Sequence, residues 1–158
     1  MQRTAAVALK VLIAFAGVLT VLAQVFVIPG YASMYADELP EVAHLQVPGM
    51  VGCIAILVCF QVALACIWRL LTLVSGSRIF QASAFRVVDV LIGAVAAMAV
   101  LFIAAWVVLD QSHALGGGTV LPVGFGILGS TGLTLLLVVL RGLLRQAATL
   151  EQDLAEVI

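Results

Sequence analysis

The sequence predicts an all-α integral membrane protein, a bundle of four membrane-spanning helices, and three observations support this prediction. The 158 residues are 65% hydrophobic and only 9% charged, and the mean hydropathy is +1.29. Soluble domains carry about 25% charged residues, so this chain has too few polar side chains to cover a globule in water. Four long apolar runs are present, and all Lys and Arg residues lie on one side of the layout that these runs define. A single membrane domain over residues 1–158 is therefore expected.

Each apolar run is long enough to cross a bilayer core as a helix, which takes roughly 20 residues. Lipid cannot satisfy backbone amides, and the runs lack the alternation of barrel strands, so helices are the only sensible assignment. The predicted spans are residues 5–28, which end at Pro29-Gly30, residues 50–68, which follow Pro48-Gly49, residues 90–109, and residues 120–140, which follow a run of three glycines. Length favours retention of the first run over its removal as a signal peptide, whose apolar region has about 7–15 residues.

The basic residues predict the orientation of the chain in the membrane. Arg3 and Lys10 come before Val11, where the uninterrupted apolar stretch of the first span begins. Arg69, Arg78 and Arg86 separate the second run from the third, and Arg141 and Arg145 follow the fourth. The two remaining loops contain no Lys or Arg. Because short loops rich in Lys and Arg stay in the cytoplasm, both termini are predicted to be cytoplasmic in a bacterial inner membrane.

Two predicted cytoplasmic segments offer an organised surface, the loop at residues 72–86 and the tail at residues 141–158. The apolar residues of the tail, Leu143, Ala147, Leu150, Leu154 and Val157, follow a 4-3-4-3 spacing, which places them on one face of an amphipathic helix. The predicted partner-contacting residues are Arg78, Ile79, Phe80, Phe85, Arg86, Asp89, Arg141, Arg145, Leu150 and Leu154. The alternative is an interfacial loop whose aromatic residues lie among lipid headgroups.

Small residues predict where the helices pack. Gly124, Gly126 and Gly129 spell the dinucleotide fingerprint G-x-G-x-x-G, but that motif requires a strand before it and a helix after it. Here it lies inside an apolar run, and membrane helices use small residues to approach one another closely. A column four residues apart, Pro122, Gly126, Ser130 and Thr134, and a shorter column, Gly93 and Ala97, are expected to face into the bundle.

Residues that could carry chemistry are few, and no metal or cofactor is predicted. Glu41-x-x-His44 and Asp110-x-x-His113 in the outer loops combine carboxylate and imidazole groups, which suit zinc, manganese or a pH sensor. Such short coincidences in loops are more often solvated residues. The three cysteines, Cys53, Cys59 and Cys66, form no C-x-x-C pair and are interpreted as small apolar packing residues.

Polar residues of the predicted spans suggest a few contacts. Asp89 is expected to pair with Arg86, three residues before it, or with Arg69 of the second span. Gln61 and Thr131 lie at similar depths, so a hydrogen bond between their helices is also expected.

Two stretches resemble a bacterial membrane family. Arg78-Ile79-Phe80 followed by Ala84 to Asp89 is similar to an inner-loop motif, with Val88 where an aromatic residue is common, and the tail from Arg141 to Ile158 is similar to a C-terminal signature. Both belong to the family catalogued as domain of unknown function 2975, whose four-span layout agrees. The resemblance implies no known chemistry. It does imply an association with small helix-turn-helix regulators of the Cro/C1 type.

The sequence therefore favours a membrane-bound regulatory or accessory protein, not an enzyme, that contacts a cytoplasmic partner and does not itself bind nucleic acid. A small transporter or channel subunit is the alternative, although only Gln24, Gln61 and hydroxyl groups are available for a polar path. Association of two copies through the fourth helix is a further possibility.

A reporter enzyme that folds only outside the cytoplasm tests the predicted orientation. Fused after Ile158 it should be inactive, and fused after Asp110, in the second outer loop, it should be active, because the bases hold their own side of the chain in the cytoplasm. Activity of the fusion after Ile158 would overturn the orientation.

Overall fold

The structure, a computed structural model, describes residues 2–38, 46–75, 82–112 and 118–156, and within these ranges every regular element is a helix. Four helical stretches are long and apolar enough to cross a membrane: Ala6–Tyr31, Gln46–Leu73, Ala84–Gln111 and Val120–Leu150. The all-helical class and the four spans predicted from the sequence are thus confirmed.

The first span is longer than predicted and passes through Pro29-Gly30 without ending. It consists of α1 (Gln2–Leu22), a π-helical segment (Ala23–Val27) and α2 (Ile28–Glu38). The N–H of Ile28 bonds to the carbonyl of Ala23, five residues back, which defines the wider π turn. A proline inside a regular α-helix lacks one donor and its ring collides with the carbonyl four residues earlier. A wider turn immediately before Pro29 relieves this conflict, so the helix continues.

The other three helices also extend beyond the predicted spans. They are α3 (Gln46–Ser75), α4 (Ala82–Gln111) and α5 (Val120–Glu156). Pro48 lies in the first turn of α3, where its missing N–H leaves no helical bond unmade. The predicted loop at residues 72–86 is correspondingly too long, since residues 72–75 belong to α3 and residues 82–86 belong to α4.

The tail continues α5 without a break, as the sequence indicates, but a separate amphipathic helix from residue 141 is not supported. The stretch that is apolar enough to span a membrane runs from Val120 to Leu150. Leu143 and Leu150 are 57% and 63% exposed. The apolar character of the tail is therefore that of α5 as a whole, and the 4-3-4-3 spacing alone does not separate it from the span.

The helices pack mainly on their neighbours in chain order. The substantial contacts of the described residues join α1 and α2 to α3, α3 to α4, and α4 to α5. The described part of the chain is thus an open row of helices, with no substantial contact between α1 or α2 and α5. The core lies between α3 and α4, with Ala63, Cys66, Leu91 and Val95 buried, and Leu137 of α5 packs against it. Most side chains of α1 and α5 are exposed, as suits helices whose remaining surface faces lipid.

One of the two predicted small-residue columns lies against another helix. A Cβ atom built at Gly126 would lie only 2.6 Å from Cδ1 and Cζ of the Phe102 ring, so α5 approaches α4 closely there. Ser130 is 4% exposed, and its hydroxyl donates to the carbonyl of Gly126 at 2.6 Å. Thr134 is half-buried. By contrast, Pro122 at the outer end of the column is exposed.

The shorter column does not point into the helix row. Gly93 and Ala97 are exposed, and a Cβ atom at Gly93 would meet nothing within 4 Å. The buried face of α4 instead carries Leu91, Ala94, Val95 and Ala99. Spacing placed Gly93 and Ala97 on one helical face, but it could not distinguish a face that packs on a helix from one that meets lipid.

Replacement of Gly126 by leucine should destabilise the α4–α5 contact, because the new side chain must displace Phe102. Overpacking of this kind costs about 1–3 kcal/mol. We expect a lower melting temperature of the detergent-purified protein for Gly126→Leu than for Gly129→Leu, whose site is open. Equal melting temperatures for the two variants would contradict the close approach.

Candidate functional site

The start of α1 and the end of α3 meet through a cation and an aromatic ring. Nζ of Lys10 lies 5.7 Å from the centroid of the Trp68 ring. A cation held over an indole face is stabilised by about 0.5–1 kcal/mol at an exposed site. Trp68 was not among the site residues predicted from the sequence. The sequence does offer a clue to this contact: Trp68 lies beside Arg69 at the basic end of its span, and the neighbouring span carries Lys10 near its own basic end.

The start of α4 and the far part of α5 meet through an ion pair. Nε of Arg141 lies 2.6 Å from Oδ1 of Asp89, and Nη2 donates to Oδ2 at 3.0 Å. The two parallel hydrogen bonds make a bidentate pair, the strongest geometry for a guanidinium and a carboxylate. Neither Arg86 nor Arg69, the partners suggested by the sequence, forms this pair. The two residues are 52 positions apart, so the pair depends on how α4 and α5 align.

These contacts bring the described bases to one end of the helix row, which we call the basic end. Its members are Lys10, Arg69, Arg86, Arg141 and Arg145. Leu70 at the end of α3 and Val87 at the start of α4 pack against the same core cluster, which joins the two halves of this end. Both members of the ion pair are 46% exposed. Exposed pairs contribute about 0.2–1 kcal/mol, so this pair aligns two helices more than it stabilises the fold.

The residues predicted to contact a partner are distributed unevenly in the structure. Arg86 and Arg145 are exposed on α4 and α5, Leu150 is 63% exposed, and Phe85 is half-buried beside buried Ala84. Phe85 and Arg86, which were predicted to lie in a loop, thus belong to α4, as does Asp89. Arg78, Ile79 and Phe80 lie outside the described residues. Leu154 belongs to α5, of which only the backbone is described at that point.

The candidate metal residues fall mostly outside the described ranges. This holds for Glu41, His44 and His113, whereas Asp110 is exposed near the end of α4. Among the described residues, no three His, Cys, Asp or Glu side chains are grouped so as to hold a metal ion.

A polar network joins the first span, through α1 and its π-helical segment, to α3. Nε2 of Gln61 donates to Oε1 of Gln24 at 2.9 Å and to Oγ1 of Thr20 at 3.4 Å. Nε2 of Gln24 donates to the carbonyl of Ile54 at 3.4 Å. The expected partner of Gln61, Thr131, is instead exposed on α5. The substantial contacts of the described part of α3 are with the first span and with α4, so Gln61 meets polar groups of the first span and not Thr131 of α5.

The fold and the four apolar helices define a multi-pass membrane protein. The family described as Protein of unknown function (DUF2975) matches residues 30–158, and the chain belongs to this family, as the resemblance of its inner motifs indicated. The match includes both Asp89 and Arg141. No curated protein and no solved structure matches the chain significantly.

A double-mutant cycle tests the alignment of α4 and α5 by Asp89 and Arg141. Asp89→Asn and Arg141→Gln should each lower the free energy of unfolding in detergent by up to about 1 kcal/mol, and the double variant should lose less than their sum. Raised salt should reduce the coupling. Asp110→Asn, an exposed acid at the opposite end of α4, serves as the control. Strictly additive losses would show that the two side chains are not paired.

Proposed function

We propose that this chain is a non-enzymatic regulatory or accessory component of a bacterial cytoplasmic membrane, and that its basic end contacts a protein in the cytoplasm. The observation that supports this most directly is the meeting of the bases of four helices at one end of the row. The bidentate contact of Arg141 with Asp89 contributes to the alignment of two of those helices.

The positive-inside rule supports an orientation with both termini in the cytoplasm. The basic end includes the start of α1 and the part of α5 beyond Leu140. The opposite end of the described chain carries Asp110 and no base. This distribution favours the basic end as the cytoplasmic side.

The length of α5 supports a surface beyond the membrane. Val120–Leu150 contains 31 residues, which at 1.5 Å each is about 46 Å of helix, against roughly 30 Å for the hydrocarbon core. With the first 20 or so residues in the core, Arg141 lies near its edge and the remainder of α5 extends into the cytoplasm. Leu143, Arg145 and Leu150 are exposed on that extension.

A protein partner fits this extension better than a lipid surface does. The sequence that follows Leu150 contains Glu151, Asp153 and Glu156, and anionic headgroups repel such acids. Leu143 and Leu150 are exposed on this part of α5, and exposed apolar residues of a helix can lie in a groove of another protein. The suggestion of a small helix-turn-helix regulator as the partner comes from the family resemblance and not from a contact described above.

A small transporter or channel subunit is the second candidate, and Gln24 and Gln61 are the observation that favours it. Polar groups within membrane spans frequently mark a substrate path. In this chain the two amides hydrogen-bond to each other, and Gln24 also bonds to the carbonyl of Ile54. These bonds use polar groups that a substrate path would need for its substrate.

Photo-crosslinking from two matched positions of α5 tests the proposal. Leu150 is 63% exposed and Leu121 is 64% exposed, at opposite ends of the same helix. A photoreactive amino acid at position 150 should yield an adduct with one cytoplasmic protein in living cells, whereas the same group at position 121 should not. The adduct is to be identified by mass spectrometry, with a DNA-binding regulator as the expected product.

Two further outcomes would count against the proposal. Adducts from position 150 only with lipid would indicate that this part of α5 lies on the bilayer. An adduct of the same protein from both positions would indicate non-specific labelling.

A further inference from the structure

A cleft of about 320 Å³ opens between α1 and α3, within the membrane-spanning part of both helices. Its lining residues are Ile13, Gly17, Gln61, Leu64, Ala65 and Trp68. Gly17 leaves the α1 side open, since a Cβ atom there would meet nothing within 4 Å. The volume is at the lower end of the range of small-molecule sites, about 300–1,000 Å³, so the cleft suits a ligand of one or two rings.

The polar network fixes which atom Gln61 presents to this cleft. The carbonyl of Ile54 can only accept a hydrogen bond, so Gln24 must direct its amide nitrogen at it. Oε1 of Gln24 therefore accepts from Nε2 of Gln61, and Gln61 is left with its own Oε1 as a free acceptor. Among the described residues, every fully buried side-chain oxygen or nitrogen has a hydrogen-bond partner. Because Oε1 of Gln61 has none, this atom is not fully buried.

The local backbone supports a site at this depth. Gln24 lies in the π-helical segment Ala23–Val27, and π turns inside helices are frequently found at functional sites. Trp68 forms the far wall of the cleft, and Lys10 lies over its ring. The cleft thus combines one fixed hydrogen-bond acceptor with an aromatic wall.

We propose that this cleft binds a small membrane-soluble amphiphile that carries one neutral hydroxyl or N–H donor. The donor bonds to Oε1 of Gln61, and the apolar body of the ligand lies against Gly17, Leu64 and Trp68. An ionised group beside Gln61 would carry a large desolvation cost, so the donor is neutral. An acyl chain alone leaves the acceptor of Gln61 without a partner. This proposal is independent of the partner proposed for the basic end.

Bromine quenching of tryptophan fluorescence tests the proposal on the full chain in lipid nanodiscs. Trp68 and Trp106 are the two tryptophans, so Trp106→Phe leaves one reporter on the wall of the cleft. The probes are 4-bromophenol, neutral at pH 7, and 4-bromoanisole, which has the same ring and bromine but no donor. The two probes are compared at equal concentrations in the lipid phase, where 4-bromophenol should quench saturably. Its half-saturation concentration should be about fivefold lower than that of 4-bromoanisole, because one net neutral hydrogen bond changes affinity by about that factor.

Variants that fill the cleft provide the second part of the test. Gly17→Leu fills it from α1 and Ala65→Leu fills it from α3, and neither replaces a side chain of the polar network. Both should abolish saturable quenching, whereas Gly129→Leu, at an open site on α5, should retain it. Linear quenching by both probes in the Trp106→Phe protein would overturn the site. Equal half-saturation would overturn recognition by Gln61, and saturation that persists in both filled variants would place the binding elsewhere.

Discussion

Every feature of this structure depends on the inability of a bilayer core to hydrogen-bond to the polypeptide. An unpaired amide in lipid costs several kcal/mol, so the backbone must satisfy itself within each span. This condition explains why a chain rich in Val and Ile is helical, and why the helix continues through Pro29. It also explains why the internal glutamines bond to each other and to a backbone carbonyl instead of standing alone. The side chain of Gln61 meets the same requirement by donating hydrogen bonds to Gln24 and Thr20 of the neighbouring span.

Charge follows the same logic at the membrane boundary. The described bases are grouped at one end of the helices, where their side chains reach water or headgroups. Two of them also make specific contacts, Lys10 with the Trp68 ring and Arg141 with Asp89. The first contact joins α1 to α3, and the second joins α4 to α5. Basic residues thus also align neighbouring helices, while the apolar core between α3 and α4 supplies the central packing.

The sequence predicts the elements of this structure well and their partners poorly. Four spans follow from hydropathy because each is a local property of about 20 residues. Three helix ends were predicted wrongly: the first helix continues past Pro29, α3 continues to Ser75, and α4 begins as early as Ala82. In each case the helix extends beyond the edge of its apolar run. The pairs Gln61–Gln24 and Asp89–Arg141 join residues 37 and 52 positions apart, and they depend on which helices are adjacent and how they align. Nothing in the spacing of Gly93 and Ala97 shows that their face lacks a neighbouring helix.

The π-helical segment has a consequence for the first span as a whole. A turn closed over five residues rather than four accommodates one residue more than the regular helix, and each residue of an α-helix advances by about 100°. The segment therefore sets the rotational phase between the two halves of the span. With one residue fewer there, the amino-terminal half would turn by more than a quarter of a revolution relative to α2, and Lys10 would leave the face that meets Trp68.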